Sequence, residues 1–193
     1  MCYLRASDGW GLAYMCRSTL TVRPATMADA PALGVIGPAT YAASYGYLWD
    51  DPLAFAEQLH TFSADAFRDF ISRESARLWI AELFGRPVGF LAMVTGSPEP
   101  ITFEGNGGEI ARIYLLPGAQ GRGLGRMLLN AAESEARKEH LKYAWLDVMA
   151  SASTAIDTYR RWGFVDIGTK LFPRPVRKGF HDMVVFRKTL STA

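Results

Sequence analysis

Residues 109–125 read EIARIYLLPGAQGRGLG, and this stretch determines the fold that the sequence predicts. Its first half is an apolar run typical of a strand, which Pro117 ends. Its second half places Gly121, Gly123 and Gly125 where a helix begins. Because glycine has no side chain, successive backbone N–H groups can donate hydrogen bonds to one anion. The start of the helix adds about half a positive charge. We therefore predict a pyrophosphate site, the alternative being a tight turn that uses glycine only for its left-handed dihedral angles.

The residues on both sides of this stretch predict a mixed α/β domain. The predicted strands lie at residues 18–23, 78–84, 88–94, 109–116, 143–148, 164–170 and 180–190. The predicted helices are two short ones within residues 29–49, separated by a bend at Gly37 and Pro38, two that begin near Asp50 and Ser63, one at residues 121–140, and one capped by Ser151 or Ser153. A dinucleotide-binding domain is disfavoured, because no long parallel β pattern surrounds the glycines and no acidic ribose partner is evident.

Composition excludes several classes of protein. The chain has 193 residues, of which 49% are hydrophobic, and its 21 basic residues nearly balance its 19 acidic ones. Disorder, a transmembrane span and a dedicated nucleic-acid binder are therefore not expected. Residues 1–17 are predicted to be an extension of uncertain order, with Met15 as an alternative start, and residues 18–193 to be one domain. Because Cys2 and Cys16 both lie in that extension, we expect a cytoplasmic protein without structural disulfides.

Two motifs resemble those of the GNAT superfamily of acetyl-CoA-dependent N-acetyltransferases. Gln120, Gly123 and Gly125 match the family's cofactor loop. Downstream, a second match to its later strand, helix and Gly-Phe turn comprises Leu146, Asp147, Val148, Ala155, Ile156, Tyr159, Trp162, Gly163 and Phe164. The resemblance implies a mixed, mostly antiparallel sheet flanked by helices, with strands splayed around the acyl-CoA site. One departure is Ala152, where many members carry an asparagine that contacts the cofactor arm.

The resemblance also implies roles for individual residues. Acetyl-CoA would be the co-substrate, with its pantetheine arm bonded to the strand of residues 109–116 and its pyrophosphate on the glycine loop. Tyr159 occupies the family's position for the acid that protonates the leaving thiolate. Arg160 and Arg161 are weaker candidates for contact with the 3′-phosphate. The residues predicted to bind the cofactor are Ile113, Tyr114, Leu115, Gln120, Gly121, Arg122, Gly123, Leu124, Gly125 and Arg126.

The chemistry of acetyl transfer requires a neutral amine and therefore a proton acceptor. An alkyl amine has a pKa of about 10.4, so drawing the neutral form from solution at pH ~7.4 costs about 4 kcal/mol. We predict that Glu109 is this base, because it begins the cofactor strand, where the family often carries an acidic base. The alternative is an exposed carboxylate at a strand end. Glu82 and Asp182 are weaker candidates, and no metal site is expected because His60, His140 and His181 lack ligand spacing.

These features predict an enzyme whose acceptor is a primary amine. Residues 40–50, rich in aromatic side chains, look similar to the branch of the family that acts on small molecules and polyamines. A protein amino terminus or lysine is the alternative acceptor. A domain that binds acyl-CoA without turnover is the alternative function, which the alanine at position 152 suggests. The oligomeric state is left open between a monomer and a homodimer.

Overall fold

The structure is a computed structural model that describes residues 20–190. The predicted extension of residues 1–17, with Met15, lies outside the described residues. Seven strands form one sheet in the order β1-β2-β3-β4-β5-β7-β6. They are β1 (Leu20–Pro24), β2 (Ala76–Leu83), β3 (Arg86–Thr95), β4 (Gly107–Leu115), β5 (Tyr143–Met149), β6 (Val165–Leu171) and β7 (Asp182–Thr189). All neighbouring strands are antiparallel except β4 and β5, which are parallel, so the predicted fold class is confirmed.

Five α-helices flank this sheet: α1 (Ala30–Tyr45), α2 (Pro52–His60), α3 (Ala64–Ile71), α4 (Leu124–Lys138) and α5 (Ser153–Arg161). The starts of α2 and α3 follow from their caps, because Asp51 accepts a hydrogen bond from the Leu53 amide and Ser63 accepts one from the Ala66 amide. No helix within residues 20–190 has the length and apolarity needed to cross a membrane.

The prediction of two short helices within residues 29–49 was wrong, because α1 continues through Pro38. Proline removes one backbone hydrogen bond from a helix interior, which normally bends or ends it. Here the tight packing of α1 maintains the helix. A side chain at Gly34 would clash with the backbone of Ala64 in α3, and one at Gly37 would lie 2.9 Å from Phe62. The loss of one hydrogen bond is therefore outweighed by close contact with the α2–α3 region.

The two faces of the sheet bury separate hydrophobic cores. On one face, Leu91 and Met93 of β3 pack in the same cluster as Leu124 and Leu128 of α4. On the other, the alternate residue Phe90 packs in the cluster that contains α1 and α3. There the ring of Phe67, which is 1% exposed, meets Phe90 edge-on at 5.1 Å between centroids. Truncation of such a side chain to alanine costs about 3–5 kcal/mol, so these cores hold the sheet as a rigid support.

The feature that creates the site is the separation of β4 from β5. The two strands pair only at Gly107, Gly108 and Glu109, the last of which lies opposite Trp145. Beyond that pair, β4 and β5 separate, so the β4 backbone that faces β5 has no strand partner. A bulge adds to the opening, because Met93 and Ala92 of β3 pair with Ile110 and Arg112 and leave Ala111 unpaired. The result is a wedge-shaped opening in the middle of the sheet.

Candidate active site

A cleft of about 730 Å³ lies along the second half of β4, beyond the point where β4 and β5 cease to pair. Its size lies within the range typical of small-molecule and cofactor sites. The walls come from four parts of the chain: the end of α1, the second half of β4, the glycine loop with the start of α4, and α5. The lining residues are Ser44, Tyr45, Tyr47, Ile113, Tyr114, Leu115, Gln120, Gly121, Gly123, Gly125, Arg126, Ser151, Ala152, Ser153, Thr154, Ala155, Thr158, Tyr159, Arg161 and Trp162.

The glycine loop forms one end of this cleft. Gly121 and Gly123 have φ values of +71° and +87°, in the left-handed region that side chains disfavour. A Cβ built at either position would meet no atom within 4 Å, so the space in front of the loop is open. Gly125 has a different role, since a Cβ there would lie 3.1 Å from Cη2 of Trp162, the C-cap residue of α5. The loop is therefore both a concave backbone surface at the start of α4 and the point where α4 meets α5.

Most of the residues predicted to bind the cofactor line the cleft. They are Ile113, Tyr114, Leu115, Gln120, Gly121, Gly123, Gly125 and Arg126. Gln120 also closes the strand-to-helix connection, because its Nε2 donates a hydrogen bond of 3.2 Å to the backbone oxygen of Leu115. The part of the wall contributed by α5 includes Thr158 and Arg161, and the Arg161 Nη2 donates a hydrogen bond of 2.9 Å to the Thr158 hydroxyl.

Two predicted cofactor residues lie elsewhere. Arg122 is exposed, and its Nε donates to the backbone oxygen of Gly118 at 3.3 Å, so its side chain folds back on the preceding turn. Leu124 is fully buried in the core, which leaves only its backbone available to a ligand. Of the two arginines near the end of α5, Arg161 lines the cleft, whereas Arg160 lies 3.7 Å from Asp157 on the same helix. The spacing of apolar residues in α5 did not indicate which of these two adjacent arginines faces the cleft.

Tyr159 lies in the cleft wall with its ring held in an aromatic cluster. Its centroid is 6.0 Å from that of Trp162, 6.1 Å from Phe164 and 6.2 Å from Phe186. Burial raises the pKa of the Tyr159 hydroxyl well above its usual value, and the negative charge of Asp147 raises it further. The hydroxyl therefore remains protonated throughout the physiological pH range and can act as a hydrogen-bond or proton donor.

Glu109 lies at the narrow end of the opening, in the last pair between β4 and β5, rather than in the wall of the 730 Å³ cleft. Its Oε2 accepts a hydrogen bond of 3.1 Å from the hydroxyl of Ser97. Burial raises the pKa of the Glu109 carboxyl, and Asp147 adds to the rise, whereas the Ser97 hydrogen bond and the charge of Lys170 oppose it. A carboxylate with a raised pKa is a stronger proton acceptor than an exposed one.

Asp147 is a charged group at the same place that the sequence reading did not select. It lies on β5 just past the last pair with β4, and its carboxylate forms an ion pair with Lys170 of β6. Its negative charge contributes to the raised pKa of Glu109, of Tyr159 and of Tyr45. The sequence could have indicated Asp147 as a candidate, because it is the one charged residue in the otherwise apolar strand YAWLDVM.

The opposite end of the cleft is built from the connection between α1 and α2. Tyr47, in the 3₁₀ turn Gly46–Leu48, shares a hydrogen bond of 2.8 Å with Ser151, just before α5. Tyr45 lies deeper, with its ring centroid 6.3 Å from that of Tyr114. Ala152 also lines the cleft and is the N-cap of α5, where it makes no side-chain cap hydrogen bond. Aromatic and hydroxyl groups therefore form this end.

The weaker base candidates lie away from the cleft. Glu82 of β2 accepts hydrogen bonds from Arg23 at 3.0 Å and from the Thr21 hydroxyl at 2.9 Å, which occupies its carboxylate in holding β1 to β2. Asp182 is exposed at the start of β7. Neither belongs to the lining of the cleft among the residues that the structure describes.

Comparison with known proteins establishes the family. A family model described as the acetyltransferase (GNAT) family matches residues 43–164. The chain belongs to this family. Its predicted family and its enzyme class are thereby confirmed. It is 34% identical over 98 residues to an IAA acetyltransferase of Azospirillum brasilense, a match that covers 51% of this chain and 60% of the relative. It is 28% identical over 148 residues to the N-acetyltransferase YjgM of Escherichia coli, covering 76% of this chain and 82% of the relative.

Solved structures share the fold at low sequence identity. The PaiA N-acetyltransferase of Thermoplasma acidophilum, in complex with coenzyme A, has a TM-score of 0.72 at 18% identity and covers 88% of this chain and 98% of its own. The ribosomal-protein-S18-alanine N-acetyltransferase of Escherichia coli has a TM-score of 0.64 at 21% identity, and the match covers 90% of this chain and 96% of that protein's chain. The spermidine N-acetyltransferase SpeG of Vibrio cholerae has a TM-score of 0.63 at 18% identity, and the match covers 91% of this chain and 96% of that protein's chain. By name, the last two proteins act on different classes of acceptor, so the shared fold leaves the acceptor class of this chain open.

Proposed function

We propose that this protein transfers the acetyl group of acetyl-CoA directly to a primary amine of a small molecule. The observation that carries the proposal is the opening between β4 and β5, which has the glycine loop at one end and Tyr159 in its wall. The alternative turn interpretation of the glycines accounts for their dihedral angles. It does not account for their position, because Gly121 and Gly123 line the cleft directly before α4, where backbone N–H groups and the helix start suit an anion.

The residues present fit coenzyme A. On the side that faces β5, the β4 backbone around Ile113, Tyr114 and Leu115 has no strand partner and offers hydrogen bonds to an extended amide-containing arm, as to an added strand. The glycine loop and the start of α4 offer backbone N–H groups to the pyrophosphate, and Arg126 adds positive charge. When bound, acetyl-CoA supplies a thioester whose acetyl group an amine can accept.

Tyr159 is the proposed proton donor to the departing sulfur. Its support is its place in the cleft wall and its raised pKa, which keeps the hydroxyl protonated. As the carbon–sulfur bond breaks, the Tyr159 proton goes to the sulfur, whose thiol has an ordinary pKa near ~8.5 and therefore needs only a weak acid. An alanine at position 152 is compatible with cofactor binding, because the proposed cofactor contacts are made mainly by backbone atoms.

Glu109 is the proposed proton acceptor from the amine. As the carbon–nitrogen bond forms, the amine's proton goes to the Glu109 carboxylate, directly or through a water, and afterwards returns through solvent to Tyr159. The support for this role is that Glu109 lies where β4 and β5 separate and has a raised pKa. Asp147 is close enough to influence both groups electrostatically and is the second candidate for the base.

Turnover can be tested by measuring thiol release from acetyl-CoA with a panel of small amines and with peptides that carry free amino termini or lysines. We expect turnover with small amines and its loss in Tyr159→Phe. Turnover confined to peptides would indicate the alternative acceptor class. Tight coenzyme A binding without thiol release from any acceptor would indicate the non-catalytic alternative and contradict the proposal.

A further inference from the structure

The end of the cleft opposite the glycine loop contains a tyrosine whose hydroxyl has no partner. Tyr45 is the last residue of α1 and lines the cleft. Within residues 20–190 its hydroxyl makes no hydrogen bond, and the oxygen is not fully buried, so it remains accessible. Tyr47, at the same end, differs because its hydroxyl already shares a hydrogen bond with Ser151. Tyr45 therefore presents an unused hydrogen-bond donor to the cleft.

Tyr45 and Tyr159 reach the cleft from opposite faces of the sheet. The Tyr45 ring packs in the core that contains α1, and it meets the Tyr114 ring of β4 edge-on at 6.3 Å between centroids. The Tyr159 ring packs in the core on the other face, with Phe164 and Phe186. A thioester held against β4 in the opening would therefore have one tyrosine on each side.

Acetyl transfer develops negative charge at two atoms of the thioester. The carbonyl oxygen gains charge when the amine attacks, and the sulfur gains it when the carbon–sulfur bond breaks. These two atoms diverge from the same carbon, so donors on opposite sides can reach one each. Burial raises the pKa of the Tyr45 hydroxyl well above its usual value, and Tyr159 adds to the rise, so Tyr45 remains a neutral donor at physiological pH. Because Tyr159 is the proposed donor to the sulfur, the carbonyl oxygen is left for Tyr45.

We infer that the Tyr45 hydroxyl donates a hydrogen bond to the carbonyl oxygen of the bound thioester and stabilises the negative charge that develops there. This inference rests on the proposed function and adds a catalytic residue to it. Tyr45 keeps its proton throughout, because the electron pair returns from the oxygen when the carbonyl bond re-forms, and the Tyr159 proton goes to the departing sulfur. The amine enters from the end of the cleft formed by the α1–α2 connection, the acceptor end, since the glycine loop occupies the other end.

The hydrogen bond can be measured without turnover, by infrared spectroscopy of bound acetyl-CoA labelled with ¹³C at the acetyl carbonyl. A hydrogen bond to the oxygen polarises the carbonyl bond and lowers its stretching frequency. We expect a lower frequency on the parent protein than in solution, and a return toward the solution value in Tyr45→Phe. This substitution keeps the ring that packs against Tyr41 and Tyr114. Tyr159→Phe should keep the parent frequency.

Two other tyrosines of the cleft provide matched controls. Tyr47→Phe and Tyr114→Phe should each leave the carbonyl frequency at the parent value. The Tyr47 hydroxyl is engaged with Ser151, and the Tyr114 ring packs against the rings of Phe62 and Phe90 in the core. A frequency that changes in Tyr114→Phe and not in Tyr45→Phe would overturn the inference.

Steady-state kinetics provide a second readout. Tyr45→Phe should lower kcat about 10²-fold and change the KM for the amine little, as for the loss of one donor to an oxyanion. A parent frequency equal to that in solution, or a higher amine KM at constant kcat in Tyr45→Phe, would also overturn the inference. If acetyl-CoA binds but no amine is acetylated, the proposed function fails, and the frequency still decides whether Tyr45 contacts the carbonyl. Absence of acetyl-CoA binding by calorimetry would contradict both.

Discussion

The two ends of the cleft are built in different ways. At the cofactor end, one continuous segment, residues 107–126, supplies a strand, a turn and a helix start, and the exposed groups are mainly backbone. At the other end, formed by the α1–α2 connection and proposed to receive the acceptor, side chains from distant segments meet: Tyr47 bonds Ser151, 104 residues away, and Arg177 bonds Asp50, 127 residues away. A site made of backbone therefore depends on a few glycines, whereas a site made of side chains can change its specificity one residue at a time.

The largest effect should follow from a side chain in the glycine loop. Gly123→Glu places a carboxylate in front of the pyrophosphate site at a residue with φ of +87°, and we expect coenzyme A affinity to fall at least about 10²-fold. Gly118→Glu is the matched control, because Gly118 lies in the preceding turn with open space around it and without a positive φ. Calorimetry measures affinity and circular dichroism checks folding. A folded Gly123→Glu protein that binds coenzyme A like the parent would contradict the backbone site.

The second-largest effect should come from removal of the Tyr159 hydroxyl. Tyr159→Phe removes the proposed proton donor and keeps the ring in its aromatic cluster, so kcat should fall by roughly 10² while the KM for acetyl-CoA stays nearly unchanged. Steady-state kinetics with the best amine measures both, and pre-steady-state thiol release shows whether product release limits the rate. An unchanged rate of the chemical step would rule out Tyr159 as the donor.

A smaller effect on kcat/KM, strongest near neutral pH, is expected from removal of the proposed base, Glu109. Glu109→Gln should lower kcat/KM about ten-fold or more at pH ~7 and less toward the amine's own pKa of about 10.4, where neutral amine is abundant. In the parent, protonation of Glu109 causes the acid limb of the profile, and its raised pKa moves that limb above the range of an ordinary glutamate.

Ser97→Ala provides the control for this profile. The Ser97 hydrogen bond lowers the Glu109 pKa, so its loss should raise that pKa further and shift the acid limb to higher pH. The test compares the profiles of kcat/KM from pH ~6 to ~10 for the parent and the two variants. If the Glu109→Gln and parent profiles superimpose after scaling, the role passes to Asp147.

The smallest effect should come from the acceptor end. Tyr47→Phe removes an exposed hydrogen bond of the kind that contributes about 0.5–1.5 kcal/mol, so the KM for the amine should rise a few-fold with kcat and coenzyme A affinity little changed. Ser151→Ala should have the same effect, and the double variant should add nothing, because both substitutions remove one bond. Additive losses would show that the two residues act independently.

Much of the fold and half of the site could be predicted from local sequence. The strand-to-helix order around Gln120 and the glycines, the β2–β3 hairpin and the caps of α2 and α3 depend on turn chemistry and periodicity over a few residues. The proposed cofactor end followed for the same reason, since most residues of the sequence motif themselves line the cleft. The resemblance to the family added Tyr159, which lies in the cleft wall and whose catalytic role remains a prediction.

Local sequence could not decide what depends on contacts between distant segments. It predicted a break at Pro38, but close packing of Gly34 and Gly37 against the α2–α3 region keeps α1 continuous. It could not orient Arg122 away from the cleft, or bring the charge of Asp147 near enough to raise the pKa of Glu109 and of Tyr159. A side chain's direction, burial and charge partners are set by which strands pair and where β4 and β5 separate, because electrostatic and packing energies depend on distance in space rather than along the chain.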